Sequence, residues 1–226
     1  MTEERRYTPS VHHRVSQAIT LWQREHGRDY AWRHDSSPYE VLVAEMMLRR
    51  TTAKAVSRVY PVFIREYRRP KDLASASVRS ISRIVAPLGL QRIRSKHLKE
   101  TARIITQDYG GEVPSDSSSL LALPGVGRYV AAAVRNFAFG KPEPLVDGNT
   151  LHLLSRVFGT SFSGPDDEDA WEFMKQFGRP NHEPPLYWGV IDLVSSTCRR
   201  RKPLCSSCPL ADYCLWKADH FYENEA

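Results

Sequence analysis

Leu123-Pro124-Gly125-Val126-Gly127-Arg128 stands between two stretches of helical apolar spacing, Ser117 to Ala122 and the alanine-rich Arg128 to Phe139. Two glycines two residues apart permit a tight turn and a close backbone approach to a ligand. A helix opening at Arg128 presents its first N–H groups and the positive end of its dipole to that turn, which suits a phosphate without any side chain. A plain helix–turn–helix uses the same elements, so the rest of the chain must decide.

Outward from this turn the apolar spacing stays helical. Val11 to Gln23 places Val15, Ala18, Ile19 and Trp22 on one face. Pro38 to Arg49 follows Ser36-Ser37, an N-cap signal before a proline in the first turn. Further helices are expected over Thr52 to Glu66, Lys71 to Ala76, Val78 to Val85, Arg94 to Tyr109, Asn149 to Val157, Asp166 to Gln176 and Pro185 to Cys198. Alternation that would mark strands is nearly absent, and no Asn-Gly hairpin joins two β-rich runs. The fold class is all-α.

With 226 residues, 41% hydrophobic and 26% charged, the chain can bury a core without disulfides. No apolar run approaches the ~20 residues of a membrane span, and no apolar segment follows the charged N-terminus as in a secretory signal. A cytoplasmic, nucleoid-associated protein is the expectation. The net charge of +6, spread over Arg49-Arg50, Arg92-Ile93-Arg94 and Arg199-Arg200-Arg201-Lys202, makes a polyanion partner plausible beside the plainer reading of a solvated surface. Residues 1–7 and 217–226 read as poorly ordered ends.

Three further features bear on chemistry. The first cysteine of the chain is Cys198, and Cys205, Cys208 and Cys214 follow in a C-x6-C-x2-C-x5-C pattern; four thiolates so grouped suit a zinc ion or an iron–sulfur cluster. Asp147, in Leu145-Val146-Asp147-Gly148-Asn149, stands before a predicted helix, where a plain N-cap is the simplest role. Glu45 interrupts an apolar helical stretch, either on a polar face or buried with a raised pKa.

Taken together these motifs resemble the HhH-GPD DNA glycosylase superfamily over about residues 28 to 215. Leu123 to Arg128 is similar to its helix-hairpin-helix phosphate grip, the family's catalytic aspartate falls on Asp147, and the cysteine spacing looks like the [4Fe-4S] loop of the endonuclease III branch. Ala44-Glu45-Met46-Met47-Leu48 resembles the glutamate helix of the adenine-excising enzymes, while Arg49-Arg50-Thr51-Thr52-Ala53 resembles the Mig-type G/T mismatch thymine-DNA glycosylases. Tyr129 occupies the place where the bifunctional enzymes carry a Schiff-base lysine. Asp147-Gly148-Asn149 is the form typical of adenine glycosylases.

The resemblance implies an endonuclease III-like two-domain fold. Residues 28–133 would form a six-helix barrel domain with the hairpin. Residues 1–27 plus 134–226 would form a second helical domain with the cluster loop, and DNA would bind in the cleft between the two. It implies a monomeric, monofunctional glycosylase that flips thymine or uracil out of a mismatch with guanine in double-stranded DNA and hydrolyses its N-glycosidic bond. The alternatives are an adenine-DNA glycosylase, a bifunctional endonuclease III-like lyase, and a non-enzymatic DNA-binding module with a structural zinc. Implied catalytic residues are Asp147, Glu45 and Tyr129. Implied DNA contacts are Leu123, Gly125, Val126, Gly127, Arg128, Arg50, Thr51, Gln91, Asn149 and Arg200, with Arg50 or Gln91 filling the space the base leaves. Cys198, Cys205, Cys208 and Cys214 would hold a [4Fe-4S] cluster.

Overall fold

The computed structural model describes residues 8–180 and 182–221. Among them are twelve α-helices: α1 Pro9–His26, α2 Pro38–Leu48, α3 Ala53–Glu66, α4 Pro70–Ser75, α5 Val78–Val85, α6 Gln91–Asp108, α7 Ser117–Leu121, α8 Arg128–Phe139, α9 Gly148–Phe158, α10 Glu168–Phe177, α11 Pro184–Ser196 and α12 Leu215–Phe221. None of these helices is long and apolar enough to cross a membrane. The chain divides into two compact units, one of residues 29–141 and one of 1–28 with 142–226. A boundary after residue 133 would cut α8, which continues to Phe139; the observed division follows Lys141.

In the middle unit α2 is the central rod. Tyr39 and every residue from Val41 to Met47 are buried, so the helix is enclosed on all sides rather than amphipathic. Its start is fixed locally: Ser37 Oγ accepts from the Glu40 amide while Glu40 Oε2 accepts from the Ser37 amide, a reciprocal capping box. Helices α3 and α8 pack on it, and α4 and α5 pack on α6. Phe63, Ile81, Leu98, Ile105 and Leu120 fill the core with α2.

In the other unit α1 packs on α11, with Gly189 at the contact. A Cβ on Gly189 would lie 2.6 Å from Ile19 Cγ2, so only glycine lets these helices approach this closely. Helix α9 packs against α11 and α12. Residues 1–7 and 222–226 of the expected loose ends lie outside the described residues. Residues 217–221, by contrast, continue α12. The ring of Trp216 stacks on His220 at 4.2 Å and lies under the Arg156 guanidinium at 4.4 Å, which gives that helix its anchorage.

His12 is 7% exposed among Phe158, Phe173 and Phe177, and burial holds its imidazole below the ordinary value of 6.5. The unfolded chain therefore binds a proton there more readily than the folded one. Stability from this site is complete above pH 6.5 and declines as pH falls from 6.5 through the lowered folded pKa. Melting midpoints across that window should fall with acid less steeply in His12→Phe; parallel curves would exclude the histidine as the cause.

Candidate active site and nucleic-acid interface

The hairpin turn joins α7 to α8 within the middle unit. Gly125 has φ +81°, a left-handed conformation, and a Cβ there would meet His97 Nδ1 at 2.6 Å. Both the backbone and the neighbouring imidazole demand glycine. Leu123 and Val126 are buried at 2% and 7% exposure, so their side chains anchor the turn in the core and are not a DNA surface. The Val126 amide donates to the Leu123 carbonyl at 3.0 Å, which removes it from the amides expected to face a phosphate. Gly127, exposed, is the N-cap of α8, with Arg128 and Tyr129 in its opening turn, whose amides have no intrahelical acceptor. Two carbonyls of the turn are braced from behind: Thr101 Oγ1 donates to Pro124 at 2.9 Å and Arg49 Nη1 to Gly125 at 2.7 Å. Gly125→Ala should therefore weaken binding of any duplex, matched or mismatched, by the cost of a left-handed alanine and a displaced imidazole, about 1–3 kcal/mol. Fluorescence anisotropy with a labelled duplex measures it, and unchanged affinity would remove the hairpin from the interface.

Glu45 is buried, 5% exposed, near the C-terminal end of α2. The polar-face alternative is thereby excluded. Tyr129 is half-buried and packs against the core of the same unit. Arg50 is exposed with φ 52°, and Thr51 is half-buried with its amide directed to the Leu48 carbonyl. Gln91 is exposed at the start of α6, which opens three residues earlier than its apolar spacing predicts. The residue before it is Leu90. It is 51% exposed with φ 52°, an apolar side chain held outward on strained backbone.

Asp147 opens α9 in the other unit and performs the capping role in full. Its Oδ1 accepts from the Asn149 and Thr150 amides, each at 2.9 Å, and its own amide donates to Thr150 Oγ1 at 2.7 Å. Asn149 Nδ2 donates to Oδ2 at 2.8 Å, so Asn149 orients the carboxylate. Oδ1 is occupied by the helix end, while Oδ2 retains acceptor capacity on a half-buried group. Arg200 Nη2 donates to the Gly148 carbonyl at 3.0 Å, bracing this turn from the basic loop.

That loop is bound to the same helix further along. His152 Nε2 pairs with the Cys198 carbonyl at 2.9 Å. Arg156, 9% exposed, donates to the Arg199 and Arg200 carbonyls at 2.9 and 3.2 Å and lies 3.6 Å from Cys198 Sγ. Cys198, Cys205, Cys208 and Cys214 line one cavity with Leu204 and Trp216. Four soft thiols lining one cavity are a donor set that fits an iron–sulfur group. Burial pushes the Cys208 thiol up to about 11, so ligation there must displace a proton.

The iron-sulfur binding domain of endonuclease III matches residues 198–214, and the cofactor of this chain is a [4Fe-4S] cluster. A thymine-DNA glycosylase from Aeropyrum pernix is 40% identical over 210 residues, covering 90% of this chain and 92% of its own. An adenine DNA glycosylase from Mycobacterium tuberculosis is 34% identical, covering 88% of this chain and 66% of its own. The solved structure of a thermostable thymine-DNA glycosylase superposes with a TM-score of 0.85 at 33% identity, covering 91% of this chain and 95% of that one. The profile of the HhH-GPD superfamily base excision DNA repair protein spans residues 43–179, and with the hairpin, the capped aspartate and the cysteine cavity in place, this DNA glycosylase belongs to that superfamily.

Proposed function

We propose that the chain is a monofunctional glycosylase that hydrolyses the N-glycosidic bond of thymine or uracil mispaired with guanine. The observation that carries this reading is Asp147, a carboxylate oriented by its own helix end and by Asn149, with Oδ2 left able to face a cation. Breaking the bond places positive charge on the sugar and negative charge on the leaving base. Asp147 stabilises the sugar cation until water adds to it, and Glu45 supplies the proton that the departing base accepts and is reprotonated by the one this water releases. Tyr129 lines the base pocket and shields the sugar. The amides of Gly125 and Gly127 and the dipole of α8 take a backbone phosphate. Arg50, Gln91 and Leu90 occupy the space the extruded base leaves, and Thr51 and Arg128 contact the strand beside them. Cys198, Cys205, Cys208 and Cys214 ligate the [4Fe-4S] cluster, which orders the basic loop that carries Arg200. A mismatched pair is weaker than a matched one and lowers the extrusion cost of a few kcal/mol. We take the active species to be a monomer.

The second reading is adenine excision, favoured by Gly148 between Asp147 and Asn149 and by the adenine glycosylase relative. Labelled duplexes carrying G/T, G/U, G/A and 8-oxoguanine/A separate the two. Breaks at T and U after hot alkali support the first reading; breaks at A support the second. A phenol at position 129 cannot form a Schiff base. Borohydride should therefore trap no protein–DNA adduct, and a trapped adduct would reveal a lysine nucleophile elsewhere.

A further inference from the structure

Arg94, on α6, is 6% exposed, and its guanidinium serves four backbone carbonyls. Nη1 donates to Met46 at 2.6 Å and Met47 at 2.9 Å, Nη2 to Arg49 at 2.8 Å, and Nε to Gly89 at 3.3 Å. Met46 and Met47 belong to the last turn of α2, whose carbonyls find no donor within the helix. The burial of α2 keeps solvent from serving them, and a cation at this end also meets the negative pole of the dipole. Arg94 is therefore a tertiary C-cap for α2.

The two backbones it joins are the two strained ones of this surface. The chain leaving α2 turns through Arg50 at φ 52°, and the chain entering α6 turns through Leu90 at φ 52°. Both side chains are exposed. Three and seven residues along α6, on the same face as Arg94, His97 packs under Gly125 and Thr101 holds Pro124. Arg49, whose carbonyl Arg94 grips, reaches the Gly125 carbonyl with its own guanidinium.

We propose that Arg94 is a positioning residue for base extrusion. It locks Arg50 and Leu90 into one rigid insertion pair and, through Arg49, holds that pair at a fixed distance from the hairpin. The proposal rests on the glycosylase reading above. A base leaves the stack only if other groups occupy its space while the backbone is gripped nearby. A fork of donors fixed on two loops and a helix end delivers both at once. Lysine cannot replace it, because a point cation on a flexible stem cannot span the carbonyls of α2 and Gly89 together.

The test places 2-aminopurine beside the mispaired base and reads its fluorescence with Asp147→Asn as the cleavage-silent background. Binding should raise the signal in that background and leave it flat when Arg94→Lys is added, with duplex affinity retained. In the otherwise unmutated chain, Arg94→Lys should lower single-turnover excision from G/T by about 10²-fold, as for a misplacement of about 1 Å. An equal fluorescence rise with and without Arg94→Lys overturns the proposal, whatever the rate. Absence of excision from every mismatch by the unmutated chain defeats the underlying reading instead. If Arg94→Lys does not fold, judged by far-ultraviolet circular dichroism, Leu90→Gly replaces it. Glycine suits φ 52° at this exposed place, and a fluorescence rise undiminished by it also overturns the proposal.

Discussion

Asp147→Asn is expected to leave the thermal transition in place while lowering excision about 10²–10³-fold, the usual scale for removing one transition-state charge partner. The substitution separates two roles that the wild-type side chain combines. As an N-cap, asparagine is nearly as good as aspartate. Its amide oxygen still accepts from the Asn149 and Thr150 backbone amides that Oδ1 now serves. Its amide nitrogen would meet Asn149 Nδ2, which today donates to Oδ2 at 2.8 Å; rotation of the Asn149 amide by half a turn restores an acceptor there. The helix dipole loses a negative partner worth about 0.3–1 kcal/mol. Structure is thus nearly conserved while the formal charge disappears. Asp147→Ala makes the contrast, since it removes cap and charge together and should cost about 1 kcal/mol of stability in addition. Single-turnover rates on a G/T duplex, set against duplex affinity, read the outcome. Excision kept within tenfold in Asp147→Asn would mean that Asp147 is a cap and nothing more.

Local chemistry made much of this molecule legible. The Ser37 cap, the left-handed glycine at 125, the aspartate before α9 and the clustered cysteines all act within a few residues of where they stand in the chain, and each appears in the structure where the sequence predicts it. What stayed hidden is long-range. Arg94 reads as one basic residue in a basic run, yet it is buried because α2, more than forty residues earlier, ends with carbonyls in need of a donor. Arg156 likewise reads as a helix-face charge, and its partners lie on the loop after Cys198. The burial of Glu45 depends on α2 being enclosed by α3 and α8 on all sides, which no periodicity within eleven residues reveals. Helix α12 is not legible from local apolar spacing, because its anchoring contact is Arg156 over Trp216, a pairing across sixty residues. The narrower role of Val126 follows from a hydrogen bond inside the turn, visible only once the turn is built.

Arg28→Ala should be among the most destabilising substitutions outside the catalytic groups. Asp192, on α11, is fully buried at 0% exposure. Arg28 gives it three donors: the backbone amide to Oδ2 at 2.8 Å, Nε to Oδ1 at 2.7 Å and Nη2 to Oδ1 at 2.7 Å. Alanine keeps the first and removes both guanidinium donors from a carboxylate at 0% exposure. Breaking a buried pair in this way costs about 3–5 kcal/mol, a large share of a total stability of about 5–15 kcal/mol. The guanidinium is one-third exposed, so water enters on truncation and the lower end of that range applies. Urea denaturation should show an earlier midpoint at an unchanged slope. A loss under about 1 kcal/mol would class the pair with surface ion pairs. The location gives the effect its functional weight. Residues 9–28 reach the rest of their unit through α1 on α11 and α10, through His12 among Phe158, Phe173 and Phe177, and through this pair, and that same unit carries α9 with Asp147 and the cysteine loop. An aspartate that must stabilise a developing sugar cation needs a helix end that does not shift. Loosening α11 therefore should lower the excision rate at temperatures below the melting transition, before unfolding itself is measurable.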